Sequence, residues 1–197
     1  MPLERGIVVS CEMIRRWPLK FGAGYARRLK RKAPRRRDIG HRDEVVITIS
    51  GGKRCLWRAV DQDGCALDEI ARIHRDTKAA KRLLTRLMRK QGCPPKRIVA
   101  DKPGSYAAAK RSVMPNVEHR SHKGLNNRAE NSHVPIRNRE RAMQGFRSWP
   151  RLRRFVSTFS AVRNLFAPPR SRCSAFATNL HRLGAMAEWK YVAAAAA

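Results

Sequence analysis

Three short runs rich in Val, Ile, Leu and Trp follow one another with only turn-forming residues between them: DEVVITIS (43–50), RCLWRAVD (54–61) and CALDEIARI (65–73). The breaks are Gly51-Gly52 and Asp61-Gln62-Asp63-Gly64. Gly relieves the steric cost of positive φ, and Asp side chains close turns on their own backbone. The segment therefore predicts a three-stranded antiparallel meander.

Beyond residue 73 the chain alternates helix and strand signals. Asp76 or Thr77 can cap a helix whose apolar residues Ala79/Ala80, Leu83/Leu84 and Leu87/Met88 recur every four positions, and Gly92 with Pro94-Pro95 stops it. The run Arg97-Ile98-Val99-Ala100-Asp101 is short, β-rich and comes after a helix. It predicts a parallel strand with Asp101 at the carboxyl edge, where ligands commonly bind. A helix through Tyr106 to Val113, a short strand around Val117–His119 and the polar loop SHKGLNNRAENSH (121–133) come next. From Trp149 onward Leu152, Phe155, Val156, Phe159, Val162, Leu165 and Phe166 repeat at three and four, describing one amphipathic helix closed by Pro168-Pro169. Residues 168–197 lack that period and read as a tail. The order β-β-β-α-β-α-β-α is that of a ribonuclease-H-like α/β domain over residues 38–167, a mixed five-stranded sheet with flanking helices.

Ahead of this domain, Ser10 can cap a helix from Cys11 to Trp17, which Pro18 ends by removing a backbone donor. That helix resembles the recognition helix of a truncated helix-turn-helix, and it reads equally well as a short basic amphipathic helix. Residues 27–37 (RRLKRKAPRRR) suit a solvated linker or a phosphate-tracking arm, which sets a boundary at residue 37.

The chain carries 44 Lys+Arg against 15 Asp+Glu, a formal charge of +29 spread along its length, so a polyanion is the natural partner. Its 42% hydrophobic content is enough for a core, which excludes a disordered basic tail. No long uncharged apolar span points to a membrane. The five cysteines, Cys11, Cys55, Cys65, Cys93 and Cys173, are never spaced C-x-x-C, which argues for reduced thiols. His119 and His122 lack further ligands nearby for zinc. No secretory signal opens the sequence, so the protein is expected to stay in the cytoplasm where it is made.

Several motifs in order carry a more specific likeness: HRDEVVITI, LWRAVDQDGCALDEI, RDTKAAKRLLTRLMRKQG, VADKPGSYAAAK, VEHRSHKGLNNRAENSH and RERAMQGFRS. Together they resemble bacterial insertion-sequence transposases of the Asp-Asp-Glu type, within the insertion-sequence-six family. The likeness runs from about Arg5 to Lys190. It implies an enzyme that binds the terminal inverted repeats of a mobile element, cuts its 3′ ends and joins them to target DNA as a multimer.

By motif, Asp43, Asp101 and Glu130 match the three family acids. The resemblance implies that Asp43 and Asp101 share two Mg²⁺ or Mn²⁺ ions and that Glu130 completes one ligand shell. Hard divalent cations take carboxylate oxygens, and paired ions about 3.5–4 Å apart stabilise both the attacking and leaving oxygens of a phosphodiester. Read without the likeness, Asp43 beside Glu44 is a solvated strand edge, Asp101 a turn cap, and Glu130 a first-turn carboxylate favoured by the helix dipole. Asp61 and Asp63 fit a hairpin turn, Asp68-Glu69 a strand edge, and Asp76 an N-cap.

Lys123, Asn126, Asn127 and Arg128 supply donors suited to DNA backbone contact, with a solvated loop as the alternative; Lys102 and His133 are weaker candidates. Arg137 lies two helical turns after Glu130 and shares its face if the helix is continuous. Pro135 opposes that continuity, and a helix starting near Val134 would leave Glu130 in the loop.

The sequence also departs from the family. The 28 residues between Asp101 and Glu130 are fewer than in many members, and Gly40 and Arg42 stand where Trp and Leu usually flank the first acid. A catalytically defective DNA-binding remnant is therefore the alternative to an active transposase, and a nuclease that cuts without joining is a third reading.

Overall fold

The computed structural model describes residues 9–30, 39–74, 76–100, 103–121, 126–168 and 174–194. Its elements, in chain order, are α1 (Cys11–Lys30), β1 (Ile39–Ile49), β2 (Gly52–Asp61), β3 (Ala66–Arg72), α2 (Thr77–Gln91), β4 (Arg97–Ala100), α3 (Pro103–Val113), β5 (Glu118–Ser121), α4 (Asn127–Ala142), α5 (Trp149–Phe166) and α6 (Ala175–Ala194).

The expected meander forms. Ser50 and Gly51 both have positive φ, 49° and 75°, and make the two-residue turn whose twist matches an antiparallel pair. At the next turn the Asp61 carboxylate accepts from the backbone N–H groups of Asp63 (2.7 Å) and Cys65 (3.0 Å). Strands β4 and β5 add in parallel, giving the order β3-β2-β1-β4-β5. Three antiparallel strands with two parallel ones beside the first is the ribonuclease-H-like arrangement, and it puts β1 at the centre.

Side chains alternate across a strand, so the sheet has two apolar faces. Trp57, Ala59, Ile98 and Ala100 pack with Ala80, Leu83, Leu84 and Leu87 of α2 and with Tyr106 and Ala109 of α3. On the opposite face Val45, Ile47, Ile49 and Leu56 pack with Ile136 of α4, Phe146, and Leu152 and Val156 of α5. Helix α2 is capped as its sequence predicts: Asp76 accepts from Ala79 N–H at 2.8 Å, and Gly92 takes the left-handed conformation.

Three local expectations change, and one open alternative is decided. Strand β1 begins at Ile39, so Asp43 is its fifth residue rather than its first. Helix α1 runs through Pro18 to Lys30 instead of stopping at Trp17. Its second half docks on α5, with Ala26 buried and Gly22 close against Thr158, and this packing outweighs the lost backbone bond. The described residues thus hold one long helix here, not a short recognition helix. Helix α4 likewise continues through Pro135, which places Glu130 in its first turn. Finally, the C-terminal segment read as a tail contains α6. Its Ala, Leu and Met residues are strong helix formers, and contacts such as the Tyr25–Trp189 ring pair at 5.4 Å hold it to α1.

Candidate active site

Odd-numbered residues of β1 face α4 and α5, so the alternation that buries Val45 and Ile47 also turns Asp43 toward α4. The Asp43 side chain is only 13% exposed; its Oδ2 lies 3.3 Å from Nε2 of His133, which is buried. Its Oδ1 accepts from the Glu44 N–H at 2.8 Å. His133, expected to face DNA, is directed into the protein instead.

Helix α4 is fastened along β1 at both ends. At its start Asn126 is fully buried and donates from Nδ2 to the Arg42 carbonyl at 3.2 Å, one residue before Asp43. Near its end Glu140 accepts from the Thr48 N–H at 2.5 Å. Asn126 is therefore not free to reach a phosphate, contrary to the expectation from sequence: its amide works inward. Glu130 is exposed in the first turn, one turn before His133 and hence on the same side of the helix as the residue touching Asp43. Asn127 and Arg137 are exposed, and the continuous helix keeps Arg137 on the Glu130 face. Arg128 lies in the first turn of α4. Asp101, Lys102, His122 and Lys123 lie outside the described residues; Asp101 directly follows Ala100, whose register partner on β1 is Arg42.

Sequence reasoning missed Arg58. It sits opposite Asp43 in the β1–β2 register and is fully buried. Nη1 donates to the Ser132 carbonyl at 2.5 Å, Nη2 to Ser160 Oγ at 3.4 Å, and Nε lies 3.0 Å from Glu69 Oε1. Ser160 Oγ in turn donates to Glu69 Oε1 at 2.6 Å. Burial lowers the pKa of Arg58, the Glu69 carboxylate opposes that shift, and Arg163 adds to it. One guanidinium thus ties β2 to β3, α5 and the first half of α4. The signal was present in the sequence as a cation inside the apolar run RCLWRAVD.

Arg42 shows no comparable set of side-chain partners among the described residues. It is buried on the α2/α3 face, where its Nε and Nη1 have no hydrogen-bond acceptor among the described residues. Burial lowers its pKa from 12.5 to about 10. Its guanidinium lies over Gly40, where an added Cβ would meet Nη2 at 3.7 Å, so the two unusual residues before Asp43 fit one another.

The donor types suit a hard divalent cation: Asp43 and Glu130 offer carboxylate oxygens. Among the described residues no group of three His, Cys, Asp or Glu is able to hold a metal; Asp101 lies outside them. The grooves of about 630 and 940 Å³ along α1/α5 and along β3 do not include Asp43 or Glu130.

The model of a DDE domain family matches residues 39–168, two-thirds of the chain. The chain belongs to the DDE transposase family. Among curated relatives, the transposase for insertion sequence-like element IS431mec of Staphylococcus aureus is 30% identical over 146 residues, covering 72% of this chain and 65% of the relative. The transposase of element IS257 in transposon Tn4003, from the same species, is 29% identical over 145 residues, 71% of this chain and 64% of the relative. The match thus spans a little under two-thirds of these DDE transposases. Among solved structures, the catalytic domain of Mos1 mariner transposase aligns over 95% of each chain at 14% identity, with a TM-score of 0.49. This level of likeness does not bear on function.

Proposed function

We propose that this DDE protein is a transposase catalysing divalent-metal-dependent cleavage of DNA at the 3′ ends of an insertion sequence and strand transfer into target DNA. The observation that carries the proposal is the fastening of α4 to β1, which brings the Glu130 turn beside Asp43. Asp101 follows Ala100 in sequence, the last residue of the strand paired with β1, which supports including it in the proposed set.

In this reading Asp43, Asp101 and Glu130 hold Mg²⁺ or Mn²⁺ ions, two in number, which supply charge stabilisation to the attacking and leaving oxygens of the phosphodiester. The protein's own groups do the placing. Asn126 and Glu140 fix α4 along β1, Arg58 fixes the turn after Glu130, and His133 orients the Asp43 carboxylate. Arg137 and Asn127, with Arg128 and Lys123, contact backbone phosphate, consistent with a charge of +29. The division 1–37, 38–167 and 168–197 is retained as a proposal, with the middle segment catalytic. Action on DNA, in a multimer at the cytoplasmic nucleoid, belongs to the same proposal.

A strand-transfer assay with element-end oligonucleotides, a target plasmid and Mg²⁺ tests it. Joined product that disappears with Asp43→Asn, Asp101→Asn or Glu130→Gln is the expected result. Cut but unjoined ends would identify a nuclease. DNA binding with no metal-dependent product would identify a defective remnant, a reading favoured by the burial of Arg42, whose Nε and Nη1 find no acceptor among the described residues.

A further inference from the structure

Helix α6 meets the rest of the protein through one side and leaves the other uncovered by the described residues. Ala185 and Val192 are buried, Trp189 stacks edge-on against Tyr25, and Arg28 donates to the Val192 carbonyl at 3.0 Å. On the opposite side Phe176 (72% exposed), Leu180 (52%), Leu183 (60%) and Tyr191 (74%) form a stripe, with Ala187 between the last two. At 100° per residue these five positions fall within about 80° of the helix circumference. An apolar stripe of this kind on a soluble surface marks an interaction site.

We infer that this stripe is a self-association surface, on which α6 of a second copy packs antiparallel about a two-fold axis. Three observations favour a second copy over another occupant. The first is charge. Two copies at +29 repel over most of their surfaces, whereas the twenty residues of α6 carry only Arg182, Lys190 and Glu188 as charged side chains, a net +1. A like-charged pair has to meet where the charge is thinnest.

The second observation is self-complementarity. Antiparallel pairing centred between Leu183 and Gly184 sets Leu183 against Gly184 of the other copy and Leu180 against Ala187, large against small at both levels. It sets Phe176 against Tyr191, an aromatic pair. A Cβ on Gly184 would meet nothing within 4 Å, so space for the opposing Leu183 is open. The two Lys190 ammonium groups end up roughly 20 Å apart along the axis, beyond a Debye length at physiological salt. A two-fold interface must be complementary to itself in this way.

The third observation is size. The exposed parts of the four large side chains come to on the order of 500 Å² per copy, or about 1,000 Å² in the pair, the lower bound for a specific interface. The surface deepens the transposase reading, because joining two element ends needs two protomers, but it does not depend on the metal site.

Sedimentation velocity on the full chain, without DNA or divalent metal and at high salt, tests the inference separately from catalysis. The chain is expected to sediment as a dimer. Leu183→Glu, at a solvent-exposed position, should weaken dimerisation by about thirtyfold or more while leaving the circular dichroism spectrum unchanged. Leu180→Lys should do the same, and adding Ala187→Glu to it should restore the dimer, since each Lys then faces a Glu of the other copy. A monomeric wild type, a Leu183→Glu variant that remains dimeric, or a double variant that remains monomeric each overturns the inference. Loss of strand transfer with the dimer intact would instead count against the catalytic reading alone.

Discussion

Replacing Arg42 by Leu should make the protein more stable, an unusual outcome for a change on the central strand next to Asp43, a proposed catalytic acid. The Arg42 side chain is buried, with Nε and Nη1 lacking acceptors among the described residues. Its pKa falls from 12.5 to about 10, chiefly through burial, with Tyr106 opposing the fall. At about 1.4 kcal/mol per tenfold change in acidity, that fall corresponds to roughly 3 kcal/mol disfavouring the charged form at neutral pH. Leu keeps most of the aliphatic volume and removes the cation, and part of the gain goes to imperfect packing around the shorter side chain. A net stabilisation of about 2 kcal/mol results, in line with other replacements of buried charge by apolar residues. For a chain of this size it raises the melting temperature by roughly 4–8 °C. Urea unfolding followed by circular dichroism measures it directly. The sign with pH is also fixed: a depressed pKa means the folded state loses its proton first, so wild-type stability rises above about pH 10 and the advantage of Arg42→Leu shrinks there. A variant that unfolds at the same or lower urea concentration would refute the reasoning, by showing that the guanidinium is satisfied in the folded state.

Other perturbations rest on the same geometry. Arg58→Met removes the buried guanidinium from beside the Glu69 carboxylate, and should cost about 3–5 kcal/mol in urea unfolding. Asp76→Ala removes the N-cap of α2 and should cost about 1 kcal/mol by the same measurement. His119 has its pKa lowered below 6.5, first by burial, then by Lys110 and Arg42. The unfolded state therefore binds the proton more readily, and the contribution of His119 to stability is complete above pH 6.5 and is lost as pH falls through its folded value. His119→Leu should flatten that part of a stability profile measured by thermal melting between pH 5 and 7.

Much of the fold was legible because local and long-range signals agreed. Gly51 and the Asp61–Gly64 turn, the Asp76 and Gly92 caps, and the short run before Asp101 each name their structure through backbone chemistry, and the topology follows from their order. What local preference left wrong or open was decided by tertiary packing. Pro18 and Pro135 each lie inside a helix, because α1 gains its stability from α5 and α4 gains its own from β1. The C-terminal segment showed no apolar period because α6 is apolar on both sides, one against the body and one outward. At the site, motif likeness named Asp43 and Glu130 but could not say which polar neighbours turn inward. Asn126 and His133 look like surface donors in sequence, and only the sheet alternation and the α4 contacts reveal them as the groups that hold α4 and Asp43 together. Arg42 and Arg58 differ by sixteen residues and by strand face, yet one is a hydrogen-bonded hub and the other keeps two nitrogens without an acceptor among the described residues, a distinction that depends on Glu69, Ser132 and Ser160 arriving from three other elements.

The central claim is that Asp43, Asp101 and Glu130 form one divalent-metal site in a basic protein that works on DNA. Titrating Mn²⁺ into the protein and following free Mn²⁺ by electron paramagnetic resonance addresses it without requiring transposition. Wild-type protein should bind up to two ions, Asp43→Asn and Asp101→Asn should each abolish most of that binding, and Glu130→Gln should weaken it by removing part of one ligand shell. A folded wild type that binds no Mn²⁺, or an Asp43→Asn variant that titrates like wild type, would contradict it.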